Sequence, residues 1–428
     1  MGNMIGSGVF LLPASLAPYG GLSIVGWLIT ATGSVLLALV FARLARINPA
    51  AGGLYAYTRH AFGDLPGFLV AWGYWISAWS ANAALAVAFV GYLDPFFPGM
   101  VRNPASAGAA AIAALWLLTA VNILGIRAAA RVQIVTTALK VLPLVFIGVA
   151  GLFVLNSAHF AVTQAEGTTL GGSIFAVMTL TLWAFLGLEV ATIPAGSIRD
   201  PEKTIPRATM TGVLLAATLY LVATIGVMGV IAPSALSGSS APFADAARAL
   251  FGDRAAALVA IGAAISCFGA LNGWILVASQ LPLAVARDGL FPSAFARLSP
   301  RGTPVTGLII AGVLTTGLIA ANYSRGLVAL FTFIILLSTL STLVPYAFCS
   351  LASFLTAEPG AERRRRAIPA GAAAVAALAF IYAIAAIGGA GQETVYWGFL
   401  LLLAGLPVYT YVVARRRPPV AGAIDVRS

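Results

Sequence analysis

Twelve apolar stretches, most of them long enough to cross a bilayer, constrain this chain more than any other feature. They run at 1–17, 21–46, 66–95, 106–126, 132–155, 171–195, 209–232, 255–284, 304–322, 326–354, 368–388 and 395–414. A helix needs about 20 apolar residues to span the roughly 30 Å hydrocarbon core. In hydrocarbon every backbone N–H and C=O must be satisfied inside the protein, so such runs fold as helices. Charged residues are 9% of the 428, and the mean hydropathy is +0.98. A soluble domain carries about 25% charged residues. The sequence therefore predicts an all-α polytopic membrane protein of about twelve transmembrane helices, a single transmembrane domain over 1–428. Glu358 to Arg366 reads as a charged linker and 418–428 as a disordered tail.

The net charge of +11 reports topology, not a nucleic-acid partner. With the C-terminus cytoplasmic, 19 of the 24 lysines and arginines fall in inside segments, among them Arg43, Arg59, Arg127, Arg131, Arg287 and Arg363 to Arg366. Arg102, Arg248, Arg254 and Arg325 fall in outside loops, and Lys140 lies within a span. That is a positive-inside pattern. Cys267 and Cys349 both fall in spans, where packing is their expected role. Enzymatic readings fail. Gly6-Ser7-Gly8 has no histidine to activate its hydroxyl, because His60 and His159 fall in loops on opposite sides of the membrane. Nothing resembles a metal cluster or a phosphate loop, so no cofactor is expected.

The first span is anomalous. Met1-Gly-Asn-Met-Ile-Gly-Ser-Gly-Val-Phe10 places Gly2, Gly6 and Gly8 beside polar Asn3 and Ser7. Glycine costs about 1 kcal/mol per helix position relative to alanine. Unwound backbone at membrane depth is tolerated only where it lines a cavity or is buried in protein, and its freed N–H and C=O groups can hold a small zwitterion or an ion. Only 10 to 15 residues of this span are present, roughly 15–23 Å at 1.5 Å per residue. The expectation is a helix 1 truncated at its N-terminal end, with translation starting further upstream. Helix 6 has the same character. In Leu180 to Glu189 a glycine and a lone acid interrupt the apolar run, and Pro194 and Gly196 follow. Breaks in helices 1 and 6, five apart, predict two inverted five-helix repeats (1–155 and 171–354) with a site at the midplane. Two additional C-terminal helices follow at 368–414.

Four groups of residues carry candidate chemistry. Glu189 is the only acid deep in a span and reads as a proton or gating carboxylate, or as a structural cap on freed backbone. Lys140 lies nine residues after Arg131, about 13 Å deeper along a helix. It reads either as a fixed or titrating charge in place of a coupling cation, or as a snorkelling residue. Trp183 and Trp274 offer ring faces for cation–π attraction, or plain aromatic packing. Asn82 bonds a substrate or another helix; Tyr74 and Tyr346 carry a weaker signal.

These residues together resemble the amino acid–polyamine–organocation superfamily, and within it the arginine/agmatine antiporters. The resemblance covers nearly the whole chain. It is most specific at Gly2 to Pro13, Gly52 to Tyr57, Leu182 to Glu189, Ser240 to Arg248, Asp288 to Phe291 and Thr342 to Tyr346. It implies ten core helices as two inverted repeats, two further helices, and a homodimer in the bacterial inner membrane. It also implies that the unwound Asn3, Met4 and Ile5 segment, with Ser7 and Gly8, receives the substrate. Ser7 and Gly8 would take the carboxylate, and the carbonyls of Met4 and Leu186 the α-amino group. Trp183 would cover the site and Trp274 would stack on the guanidinium. Asn82, Ser338 and the backbone around Ser77 and Ala78 would complete the hydrogen bonding, and Tyr74, Glu189 and Tyr346 would form a cytoplasmic-side gate.

Two departures accompany the resemblance. Ser77, Ala78 and Leu85 differ from the antiporters' distal pocket, and Lys140 is instead similar to the helix-5 lysine of sodium-independent permeases. The expectation is an inner-membrane antiporter exchanging arginine for agmatine by alternating access. A proton-linked or sodium-independent permease or exporter for neutral or other cationic amino acids is the alternative. A non-transporting amino-acid sensor is a second alternative.

Overall fold

The computed structural model describes residues 4–48, 52–125, 141–163, 169–192, 200–356 and 368–416. Expectations placed on Asn3, Lys140, the charged linker and the C-terminal tail lie outside these residues. Among them the chain is almost entirely helical, with one isolated bridge between Gly20 and Val162. Among the described residues, nine helices are long and apolar enough to cross a membrane, and two shorter apolar helices accompany them.

The first span is two short helices, α1 (Ser7–Phe10) and α2 (Leu12–Leu16), entered through the non-helical Met4 to Gly6. Then come α3 (Leu22–Ile47), the connecting helix α4 (Leu54–Phe62), α5 (Asp64–Gly91) and α6 (Pro104–Leu124). The start of α6 is fixed chemically: the Asn103 side chain accepts from the Ala105 N–H, and Pro104 occupies the first turn, where its missing N–H costs nothing. The short helix α7 (Val141–Leu152) precedes α8 (Leu170–Leu182). The chain continues through α9 (Pro201–Val230), α10 (Pro242–Phe251), α11 (Asp253–Arg287), α12 (Val305–Asn322) and α13 (Leu327–Leu355). It closes with α14 (Ala370–Gly388), α15 (Gln392–Leu403) and α16 (Gly405–Arg416).

Burial orders these helices. The apolar window of α5 is 94% buried and that of the span from α15 into α16 only 17%. So α5 is the central post, packed against α11 and α13, with α1 lying on it. The outermost helices turn Tyr396, Trp397 and Phe399 outward, as a lipid-facing surface requires.

Candidate functional site

The break in helix 6 is local and has a backbone cause. After Leu182 one turn of 3-10 helix (Trp183–Phe185) tightens the chain, and Leu186 leaves the helical region at φ −59°, ψ 134°. Gly187 then takes φ 104°, a conformation that glycine alone adopts without strain. The broken first span lies directly against this turn. A Cβ built on Gly8 would sit 2.7 Å from the Ala184 Cα and 3.2 Å from the Trp183 ring, so only glycine permits this approach.

Where the two breaks meet, Met4, Gly6, Ser7, Gly8, Leu85, Trp183, Leu186 and Trp274 line a cavity of about 10 Å³. None of the eight is charged. Such a volume holds about one water, so an amino acid enters only after these side chains separate. Three polar groups on this part of the fold are buried without a hydrogen-bond partner among the described residues: Ser7 Oγ, Trp183 Nε1 and Asn82 Oδ1. Buried polar atoms are ordinarily paired, and each exception calls for a reason. Ala78, Asn82 and Leu85 follow at helical spacing on α5, so Asn82 shares the face that Leu85 presents to the cavity.

One turn further, Glu189 is fully buried. Its Oε1 accepts from the Tyr74 hydroxyl at 2.5 Å and its Oε2 from the Tyr346 hydroxyl at 2.5 Å; Oε2 also accepts from the Gly187 N–H at 3.2 Å. The three residues expected at a gate thus converge, tying the unwound part of helix 6 to α5 and α13. Ser77 and Ser338 also converge, but on each other. Ser338 Oγ donates to the Ser77 carbonyl at 2.8 Å and lies 2.9 Å from Ser77 Oγ, while Thr342 Oγ1 donates to Ser77 Oγ at 2.5 Å. Neither serine lines the central cavity. The sequence reading missed Thr342. A hydroxyl one turn after Ser338 in an apolar span was the available signal.

Two of the family-like motifs also meet. The Tyr55 hydroxyl donates to Asp288 Oδ2 at 2.8 Å, and Arg59 bridges the same oxygen at 2.8 Å and Asp64 Oδ1 at 2.7 Å. Burial, with Asp288 beside it, pushes the Tyr55 hydroxyl well above its ordinary range. This cluster joins α4 to the segment after α11.

Two unwound membrane segments facing each other across a neutral, aromatic-walled cavity define a secondary transporter of the broken-helix kind. The chain belongs to the amino acid permease family, whose sequence model matches residues 1–413. It is similar to a Bacillus subtilis (strain 168) protein named for arginine/ornithine antiport, 35% identical over 446 residues, covering 96% of this chain and 94% of that one. It is similar also to the cadaverine/lysine antiporter of Escherichia coli (strain K12), 38% identical over 321 residues, covering 74% and 71% respectively. A third relative is a putrescine transporter of Haemophilus influenzae, 32% identical over 415 residues, covering 96% and 94%. The chain is a multi-pass membrane transporter of the amino-acid and polyamine antiporter group.

Proposed function

We propose that this protein exchanges a cationic amino acid for an amine, with arginine and agmatine as the pair, by alternating access in the bacterial inner membrane. The observation that carries the reading is the uncharged central cavity, where Trp183 and Trp274 stand beside the unwound Met4 to Gly8 and Leu186. A Trp face attracts guanidinium or ammonium. A wall with no carboxylate holds a cation loosely enough to release it on the far side. The freed N–H groups near Ser7 and Gly8, with Ser7 Oγ unpartnered among the described residues, suit a substrate carboxylate. The names of the relatives, which span arginine, ornithine, lysine, cadaverine and putrescine, support cationic substrates. Arginine entering as a monocation and agmatine leaving as a dication would export one positive charge per cycle.

A second reading keeps its place because of Lys140, a lysine in an apolar span. In that reading an ammonium substitutes for a coupling cation and the protein is a proton-linked permease. Counterflow separates the two. Proteoliposomes are loaded with agmatine, arginine, a neutral amino acid or nothing, and uptake of labelled arginine is measured. Exchange requires uptake only with arginine or agmatine inside, and a pH profile that Lys140→Ala leaves in place. Uptake into empty vesicles driven by a proton gradient, abolished by Lys140→Ala, would establish the permease instead. Binding with no movement under any loading would make the protein a sensor.

A further inference from the structure

A second cavity, of about 480 Å³, lies at the end of the molecule that the arginine distribution assigns to the outside. It is bounded by the last turns of α5, the start of α6, the segment leading into α10 and the start of α13. Sites for small molecules run about 300–1,000 Å³. Val87 of this cavity is two residues from Leu85 of the central one, so the two are neighbours along α5.

Its wall has an unusual charge balance. Asp245 is engaged, accepting from Ser239 Oγ at 2.5 Å and pairing with Arg248 at 2.7 Å. Asp94 is engaged at one oxygen only. Oδ2 accepts from Ser240 Oγ at 3.0 Å, while Oδ1 is shielded from solvent and has no hydrogen-bond partner among the described residues. A shielded carboxylate oxygen without a donor is costly, and a cationic donor relieves that cost best. Arg102 lines the same cavity, exposed and in no ion pair among the described residues. A guanidinium presents a planar fork suited to a carboxylate. A free ammonium and a free carboxylate on one small molecule answer both groups, which is the chemistry of an α-amino acid. An amine without the carboxylate answers only Asp94.

We propose that this cavity is an outer binding site for α-amino acids, with Asp94 receiving the ammonium and Arg102 the carboxylate before the substrate moves inward. The proposal rests on the exchange reading for its direction of travel, but not for the binding itself. It is tested with the purified full-length protein by equilibrium dialysis against labelled arginine and labelled agmatine. Trp274→Leu weakens the central site, so arginine binding that survives in this variant reports the outer one. Adding Asp94→Asn or Arg102→Gln should then weaken arginine binding about tenfold, the effect of one lost charge-assisted bond. Arg102→Lys should restore part of it, and agmatine should respond to Asp94→Asn but not to Arg102→Gln. In proteoliposomes the same two single variants should raise the KM for external arginine and leave the saturated rate in place. Thermal unfolding of each variant checks that it is folded. Arginine binding and KM both within twofold of the parent in folded Asp94→Asn and Arg102→Gln would overturn the outer site, even where the parent exchanges normally. A parent that binds arginine through Asp94 and Arg102 but moves nothing would overturn the exchange reading and leave this site standing.

Discussion

Glu189 is fully buried and receives donors from three directions, Tyr74 on α5, Tyr346 on α13 and the N–H of Gly187 in its own turn. A glutamine there offers one acceptor oxygen and a donor NH₂. With Glu189→Gln, one hydroxyl or N–H that now donates must turn away or lose its partner. A buried donor left unmade costs about 1–3 kcal/mol, so Glu189→Gln should lower unfolding stability in detergent by that amount and slow exchange. Unchanged stability would mean that the carboxylate does not hold these three groups together. The acid was legible in the sequence because it stands alone deep in a span. Its partners were legible only through the family resemblance, since Tyr74 and Tyr346 lie 115 and 157 residues away along the chain. The resemblance implies Ser338 and the backbone around Ser77 as substrate partners; in the structure the two side chains bond each other and Thr342, a pairing across 261 residues that no local pattern encodes.

Helices were legible because apolar runs and their polar ends are local properties. The expected 21–46 became Leu22–Ile47, and 66–95 became Asp64–Gly91. The last span, expected as one helix at 395–414, divides between Leu403 and Gly405, where Gly405-Leu-Pro407 was the available signal. The tertiary ties at the helix ends were not legible, and their burial separates them in strength. Arg43 on α3 is 6% exposed. It donates to the Ser353 carbonyl at 2.6 Å, the Ser353 hydroxyl at 3.0 Å and the Thr356 carbonyl at 3.2 Å. It therefore caps the last turn of α13, where carbonyls lack intrahelical partners and the dipole is negative. Arg59, tying α4 to Asp288 and Asp64, has a side chain 33% exposed, and its partners are more exposed still. Exposed ion pairs contribute about 0–1 kcal/mol. Arg43→Met should thus cost about 2–4 kcal/mol by leaving buried carbonyls unmade, and Arg59→Met about 1 kcal/mol. Denaturant titration of the two variants side by side checks the order. Equal losses would show that solvent screening does not distinguish the two ends.

At the scale of the whole molecule the question is what separates to admit a substrate. The central cavity of about 10 Å³ is lined by the unwound first span, the helix 6 turn, α5 and α11. Of these, the first span is the part least anchored by regular structure, since α1 and α2 are only 4 and 5 residues long. At its far end it is tied to α13, with Ser15 Oγ 2.7 Å from Thr332 Oγ1. If this end of the first span swings from α13 to open the site, a covalent link in place of that hydrogen bond must stop transport. Hydroxyls in contact place cysteine sulfurs near bonding distance, and a disulfide needs S–S of about 2.05 Å. Oxidised Ser15→Cys/Thr332→Cys should therefore lose arginine exchange, and reductant should restore it, with either single variant indifferent to both treatments. The reduced double variant must exchange near the parent rate, which separates the link from damage by the substitutions. Exchange that continues with the cross-link complete, judged by thiol titration, would place the opening motion elsewhere and leave α2 and α13 as one rigid body.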